Sequence, residues 1–470
     1  MKRSFLLLLT CFMFIISCQT DSLSEFNALE ESAITDNGSN VASKSSSAKN
    51  YFMVISKKET LSKELEVSIS KYGKIISTIP EIGIIIVEPL DSNFENNVGN
   101  LSEVRSIIPD LSINWLEPVE VNPFSNPLSI GDNEPLFQYQ WGMDAINAPE
   151  AWNSGYQGDG VKVFVLDSGI DAEHPDLAPN LNTNLSASFV TDEDWNIQPG
   201  FYFNHGTHVA GIIAAADNSF GVIGVAPKVE IIAVKVLSEY TGSGAFSGIN
   251  AGIVYAANNG ADVINMSLGA TLNKNGKFYD EEGNLIAKYP SKFIQEIVLA
   301  QQRAIDYAYK KGVTIITSAG NSAMNGDGNS STIILPADLN NVITVSATAP
   351  LNWALDNSTN LDELASYTNF GKSLVDISAP GGDFDSQFSI WYFDMVLSTI
   401  SEGWSWSAGT SMASPHVAGV AALIIGKNGG EMDPHEVEKQ LFKTADNIDA
   451  NGSSPYYGNG RVNAFRAISE

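Results

Sequence analysis

Cysteine is almost missing from this chain of 470 residues: Cys11 and Cys18 are the whole supply. No disulfide can brace anything downstream of them, and no cysteine nucleophile exists there. Basic residues are also scarce, 26 Lys and Arg against 54 Asp and Glu, for a formal net charge of −28. That balance argues against nucleic acid and anionic membrane surfaces as partners and favours solubility and cations. No long run of one sign carries the charge, so it reads as a generally acidic surface rather than an acidic tail. A membrane-spanning helix is not expected either. The apolar run at residues 5–16 falls short of the roughly 20 residues that a span requires.

What is present points to an exported globular protein. The chain is 44% hydrophobic and 17% charged, enough apolar material for a large core, and its length suits two folded units with accessory segments. Lys2 and Arg3 precede the apolar run, which is the layout of a signal peptide. The run ends Ile15-Ile16-Ser17-Cys18, which resembles a bacterial lipobox. The resemblance implies a signal over 1–17 and lipidation of Cys18. It also implies a site in the bacterial cell envelope, periplasmic or on the cell surface, reached through the lipid anchor alone. Residues 18–49 are polar, with Asp36-Asn37-Gly38-Ser39-Asn40 and serines at 45–47, and read as a flexible tether. An exported protein without disulfides needs rigidity from another source, and bound metal is one.

Residues 50–118 read as a small α+β domain. Residues 51–56 alternate as a strand. Leu61, Leu65, Ile69 and Tyr72 share one side of a helix over 61–72. Residues 74–79 and 82–87 read as two strands joined around Pro80, 101–106 as a second helix and 107–115 as a closing strand. The order β-α-β-β-α-β is ferredoxin-like. Residues 119–135, with Pro123, Pro127, Gly131 and Pro135, read as an exposed linker suited to a maturation cut. From 136 to 470 strands and helices alternate. Residues 161–166 and 231–236 are near-continuous apolar runs, as buried parallel strands are. Residues 246–259 and 293–311 have helical spacing, stop at Gly260 and Gly312, and lead into strands at 262–266 and 313–317. This is a three-layer α/β pattern with a parallel sheet, whose sites lie beyond the carboxyl ends of the strands.

Three segments at such ends carry reactive side chains. Asp167 closes the first strand in Asp167-Ser168-Gly169-Ile170. It either caps a turn structurally or supports a partner that needs its charge. His205 opens His205-Gly206-Thr207-His208-Val209-Ala210-Gly211, where an imidazole can act as general base, or where two histidines three apart could begin a zinc site. Ser411 lies in Gly409-Thr410-Ser411-Met412-Ala413-Ser414-Pro415-His416-Val417-Ala418-Gly419, at the start of a helix whose free amides favour negative charge. A fourth segment, Ser318-Ala319-Gly320-Asn321, ends another strand.

Together these strings resemble the signatures of the subtilase family, and of bacterial subtilisins and thermitase-like enzymes in particular, from about residue 138 to the end. The resemblance implies a subtilisin-like catalytic domain over 136–470 and serine endopeptidase activity. Asp167, His205 and Ser411 would be the triad, with Asn321 in the oxyanion hole. Gly242-Ser243-Gly244 and Ser267-Leu268-Gly269 would pair with an extended peptide or protein substrate. The 50–118 domain resembles the inhibitory propeptide of the family, an intramolecular partner. No organic cofactor is implied, but a structural Ca²⁺ is. Its ligands would be the side chains of Asp176 and Asn218 and the carbonyls of Ala216, Phe220 and Val222, with Glu134 standing where thermitase-like enzymes carry Asp. The chain departs from the family pattern in two polar or aromatic insertions, 271–292 and 383–406, which are either peripheral or rim the cleft. The alternatives to a general endopeptidase are a silent peptide-binding relative and a narrow leader- or precursor-processing protease.

Overall fold

The computed structural model describes residues 51–115, 133–197, 204–279, 284–327, 331–384, 391–449 and 454–470. The signal, Cys18, the tether and most of the 119–135 linker lie outside the described residues.

Residues 51–115 form a four-stranded antiparallel sheet in the order β2-β3-β1-β4, built from β1 (Phe52–Ser56), β2 (Gly73–Ile79), β3 (Ile84–Pro89) and β4 (Val104–Pro109). Two helices cross it. Helix α1 (Lys63–Ile69) starts where the Ser62 hydroxyl accepts the Leu65 N–H, an N-cap bond that satisfies a first-turn amide. Helix α2 (Phe94–Gly99) lies earlier than the expected 101–106. Asn96, Asn97 and Gly99 are weak helix formers, so the pattern is hard to read. Burial of Phe94 and Val98, one turn apart, holds it. The expected closing strand splits into β4 and a short β5 (Ser112–Asn114), which leaves this sheet altogether.

The remainder is built on an eight-stranded sheet. Its strands include β6 (Lys162–Asp167), β7 (Ala187–Ser188), β8 (Glu230–Lys235), β10 (Val263–Met266), β14 (Thr314–Ser318), β16 (Ile343–Ala349) and β18 (Ile377–Pro380), parallel throughout, with β17 (Glu363–Leu364) antiparallel at one edge. Alternate residues of a strand face opposite sides, so a strand buried on both needs apolar residues at every position. In β6, Val163 and Val165 join one core and Phe164 and Leu166 the other. Helices α3 (His205–Ala214) and α6 (Thr410–Lys427) line the first core, through Val209, Ile212, Val417 and Val420. Helices α4 (Phe246–Asn258) and α5 (Ser291–Lys310) line the second, through Ile249, Ile253, Ile294 and Ile297. The expected three layers are present. No helix among the described residues is long and apolar enough to cross a membrane.

The insertions take different places. Residues 271–292 contribute most of β11 (Ala270–Asn273), which pairs with β15 (Thr332–Leu335), and a hairpin of β12 (Lys277–Tyr279) with β13 (Leu285–Lys288). The 383–406 stretch ends in a hairpin of β19 (Val396–Ile400) and β20 (Gly403–Ser407). This hairpin backs α3 rather than forming a separate rim: Ser398 and Thr399 donate to the carbonyls of His208 and Thr207, each at 2.7 Å. Trp406 and Phe393 are buried in the first core.

Candidate active site

The carboxyl ends of β6, β10 and β14 bring the expected residues to one edge of the sheet. Asp167, the last residue of β6, is 1% exposed. Its carboxylate faces the ring of His205, with Nδ1 at 2.9 Å from both oxygens. The Asp167 carboxylate also accepts the Ser168 N–H at 2.6 Å, so the buried charge is satisfied twice. The approach depends on residue 206. A Cβ there would lie 2.2 Å from Gly169 O and 3.1 Å from the Asp167 Cβ, so only glycine lets α3 begin this close to β6.

Ser411 is in the first turn of α6. Its Oγ donates to Ser267 O at 3.2 Å and makes no hydrogen bond to His205. The row of carboxylate, imidazole and hydroxyl is therefore closed at its first link and open at its second. Such links are often loose before substrate binds. Ser267 follows β10, the neighbour of β6 in the sheet, so the residue that anchors Ser411 is one strand spacing, about 4.8 Å, from the end that carries Asp167. Ser267 is fixed in turn, since its hydroxyl donates to Ser411 O and bonds the Ser414 hydroxyl, both at 2.8 Å.

Asn321 follows β14. Its Oδ1 accepts the Thr410 N–H at 2.9 Å and the Thr410 hydroxyl at 2.7 Å, which turns Nδ2 the other way. A Cβ built on Gly409 would lie 3.5 Å from Asn321 Nδ2 and 3.6 Å from Ser411 N. Two N–H donors therefore lie near one point at Gly409, and paired N–H donors of this kind are what stabilises a developing oxyanion. Thr410 as the residue that orients Asn321 was not singled out from the sequence, although it stands in the Gly409-Thr410-Ser411 string.

His208 and His416 do not share this chemistry. Burial lowers the pKa of His208 to about 3 and that of His416 to about 4, so both are neutral. His208 Nε2 contacts Ser405 O at 3.0 Å. Among the described residues no group of three or more His, Cys, Asp or Glu side chains is placed to hold a metal ion by side chains alone.

The two segments expected to pair with a peptide already hold a strand. Ser112, Ile113 and Asn114 of β5 pair antiparallel with Ala245, Gly244 and Ser243 of β9 (Ser243–Ala245). Trp115 N donates to Gly242 O at 3.3 Å, and on the other side Gly269 N donates to Trp115 O at 3.2 Å. The Trp115 side chain is buried against Phe246, and its indole N–H donates to Gly244 O at 2.9 Å. Leu268, between Ser267 and Gly269, is buried beneath. Around this strand the small domain touches α4 and α5 through polar contacts. Arg105 pairs with Glu296 at 3.0 Å, Arg303 donates to the carbonyls of Ser56 and Ile82, and the Ser247 hydroxyl donates to Asp110.

The loop 216–222 gathers the expected cation ligands. Asp176 is fully buried. It accepts the Val222 N–H at 3.1 Å, the Trp404 indole N–H at 2.7 Å and the Asn218 amide at 3.3 Å, all from neutral groups. Glu134, 3% exposed, accepts the N–H groups of Asn218 and Ser219 at 3.1 and 3.0 Å. Residues 133–135, read as part of an exposed linker, thus pack on the body here. Two buried carboxylates from separate segments thus meet one loop, with no Lys or Arg paired to Asp176 among the described residues, and hard oxygen donors of this kind suit a divalent cation, although Asn218 turns its NH2 to Asp176 and its oxygen to the Phe220 N–H. Trp404, stacked edge-on with His174 and Phe220, covers this loop and was legible only as part of an aromatic stretch.

Comparison with known proteins agrees with this geometry. Residues 158–460 match the model of the subtilase family, a peptidase family. Subtilisin DY from Bacillus licheniformis is 38% identical over 327 residues, covering 70% of this chain and 97% of that protein. Among solved structures, the epidermin leader peptide processing serine protease from Staphylococcus aureus has a TM-score of 0.69 at 24% identity, covering 90% of this chain and 98% of that one, a likeness of fold. A lanthipeptide protease has a TM-score of 0.58 at 27% identity over 72% of this chain and 99% of that one. The chain belongs to the subtilase family and is a serine-type endopeptidase.

Proposed function

We propose that the chain is an exported, lipid-anchored endopeptidase made as a latent precursor, with Asp167, His205 and Ser411 as its triad. His205 takes the Ser411 proton as the hydroxyl attacks a peptide carbonyl, and Asp167 holds the ring and balances the imidazolium. Asn321 Nδ2 and the Ser411 N–H receive the oxyanion. His205 then returns the proton to the leaving amine, and water releases the acyl group by the same route. Gly242, Ser243 and Gly244 on one side and Ser267, Leu268 and Gly269 on the other hold the substrate as an added strand. The observation that carries the reading is β5 with Trp115, lying between those two segments as a peptide would. The 50–118 domain is on this reading an inhibitory propeptide, and a cut within 119–135 releases the enzyme. A serine-directed fluorophosphonate tests it. Matured protein labels at Ser411, uncut precursor labels far more slowly, and no labelling of matured protein would sink the proposal. N-terminal sequencing beside Ser411→Ala separates self-maturation from cutting by another protease.

Acylation at Cys18 would leave the tether between membrane and domain, and Cys18→Ala should release activity into the medium. Asp176, Asn218, Glu134 and the carbonyls of Ala216, Phe220 and Val222 would hold Ca²⁺, which supplies positive charge to a loop that also ties in the arm at residue 134. A narrow precursor-processing role is the second reading. The likeness to a lanthipeptide protease favours it, as does β11, which runs on from the Ser267–Gly269 segment and is locked to β15. A peptide-library cleavage profile separates one preferred sequence from broad digestion.

A further inference from the structure

Lys235 ends β8 and is completely buried. It lies opposite Asp167 in the β6–β8 ladder. An ammonium group is tolerated in such a place only when it is paired. Its Nζ stands 3.0 Å from Glu193 Oε2 and 3.2 Å from Glu239 Oε1, on side chains 11% and 3% exposed. The Glu239 backbone N–H donates to Glu193 Oε2 at 3.0 Å. These three contacts close a ring that ties the end of β8, the segment around Glu193 and the turn at 238–242 to one another.

That turn delivers β9 to the cleft. Ser238 N donates to Ser243 O at 2.8 Å and Gly242 N donates to Ser238 O at 2.9 Å. A Cβ on Gly244 would lie 2.3 Å from Val236 O, so β9 is pressed against the residues directly after Lys235. An apolar contact at Lys235 would resist separation but not sliding. A cation held between two anions resists both, because moving it away from either carboxylate leaves charge unpaired in a buried place.

We infer that Lys235, Glu193 and Glu239 form a positioning device that sets where β9 meets a bound peptide. The ring therefore bears on extended substrates more than on the reaction at Ser411, because the Asp167 backbone stays held by the Val236 and Leu237 N–H groups, at 2.9 and 3.2 Å, whatever stands at residue 235. The inference rests on the reading of β9 as a peptide-pairing strand given above. Sliding a positioning strand by about 1 Å can cost as much as a hundredfold in rate.

The test uses matured enzyme and two substrates: an acetylated amino-acid ester, too short to reach β9, and a long peptide that spans it. Lys235→Met should raise KM for the long peptide by about tenfold or more while kcat/KM for the ester stays within about twofold of wild type. Glu239→Gln should shift the long peptide in the same direction by less, because Lys235 keeps Glu193. The triple change Lys235→Met, Glu193→Gln, Glu239→Gln should restore melting temperature, since no charge is left unpaired, without restoring KM for the long peptide. Equal losses on both substrates in Lys235→Met and Glu239→Gln, or no loss on either, would overturn the inference. If Lys235→Met does not accumulate as folded protein, Glu239→Gln decides by the same criterion. A wild type inert toward the ester would mark failure of the peptidase reading and would take this inference down with it.

Discussion

The small sheet of residues 51–115 and the large sheet of the body are both apolar on two faces, but they satisfy that requirement differently. Strands of the large sheet bury each face against the body's own helices. In the small sheet, Val54, Ile85 and Val87 pack with Leu65, Ile69, Phe94, Val98 and Val104 of the same domain. The alternate residues Met53, Ile55, Ile84 and Ile86 join the core that includes Ile249, Ile253, Ile294 and Ile297 of α4 and α5. One core of the body is entirely its own, whereas the small domain shares half of its core with the other. A domain of this size is marginal even with a whole core. The body thus holds the reactive groups, and the small domain holds a strand and a debt of apolar surface.

The sharpest way to break this division is Ser411→Ala. If all chemistry resides in the body, hydrolysis should fall by about 10⁶-fold in kcat, and the melting transition should stay put. Residual turnover of more than about a thousandth of wild type would place reactive groups elsewhere. Asn321→Leu comes next. Loss of one oxyanion donor should lower kcat by about 10²–10³-fold with little change in KM, measured by steady-state kinetics on the matured enzyme.

The two faces of the small sheet can be separated by paired changes. Ile86→Asp places a charge against α4 and α5 and should cost about 3 kcal/mol or more of docking, so uncut chain should label with a fluorophosphonate. Ile85→Ala opens the domain's own core and should cost about 2–5 kcal/mol of its stability, read as early proteolysis of residues 51–115 with the body intact. Equal outcomes from the two variants would erase the distinction between owned and borrowed core.

Chelation probes the body alone. If Asp176 and Glu134 hold a cation as proposed, a chelator should lower the melting temperature of matured enzyme by about 5–10 °C, and an unchanged value would remove calcium from the account.

The smallest effect concerns the seam between the regions. Burial raises the Asp110 carboxyl above its ordinary value, while bonds from Ser247 pull it down. A carboxyl raised in the docked state favours docking fully below its free value near 3.8, and that contribution is lost as pH rises through the docked value. Separately made small domain should therefore bind the body more tightly under acid conditions. Asp110→Asn should flatten that slope in a calorimetric titration, and an unaltered slope would assign it to other groups.

Local strings carried most of the site. Asp167, His205, Asn321 and Ser411 each sit in a short motif whose neighbours, small residues and strand ends, explain the motif's spacing. The three-layer plan was legible because strands buried on both faces read as unbroken apolar runs. What escaped the sequence was either poorly patterned or distant. Helix α2 has its two apolar anchors among asparagines. The pairing of β5 with β9 joins residues about 130 positions apart, as does the seat of Trp115 on Phe246. Trp404 over Asp176 and Lys235 between two glutamates are likewise long-range meetings that no periodicity announces.

Residue 206 is buried, and its missing side chain sets how near an imidazole may come to its carboxylate. The first methyl group added there would wedge the helix outward before any polar atom was altered. A single added carbon here would disable the site with every reactive group still in the chain.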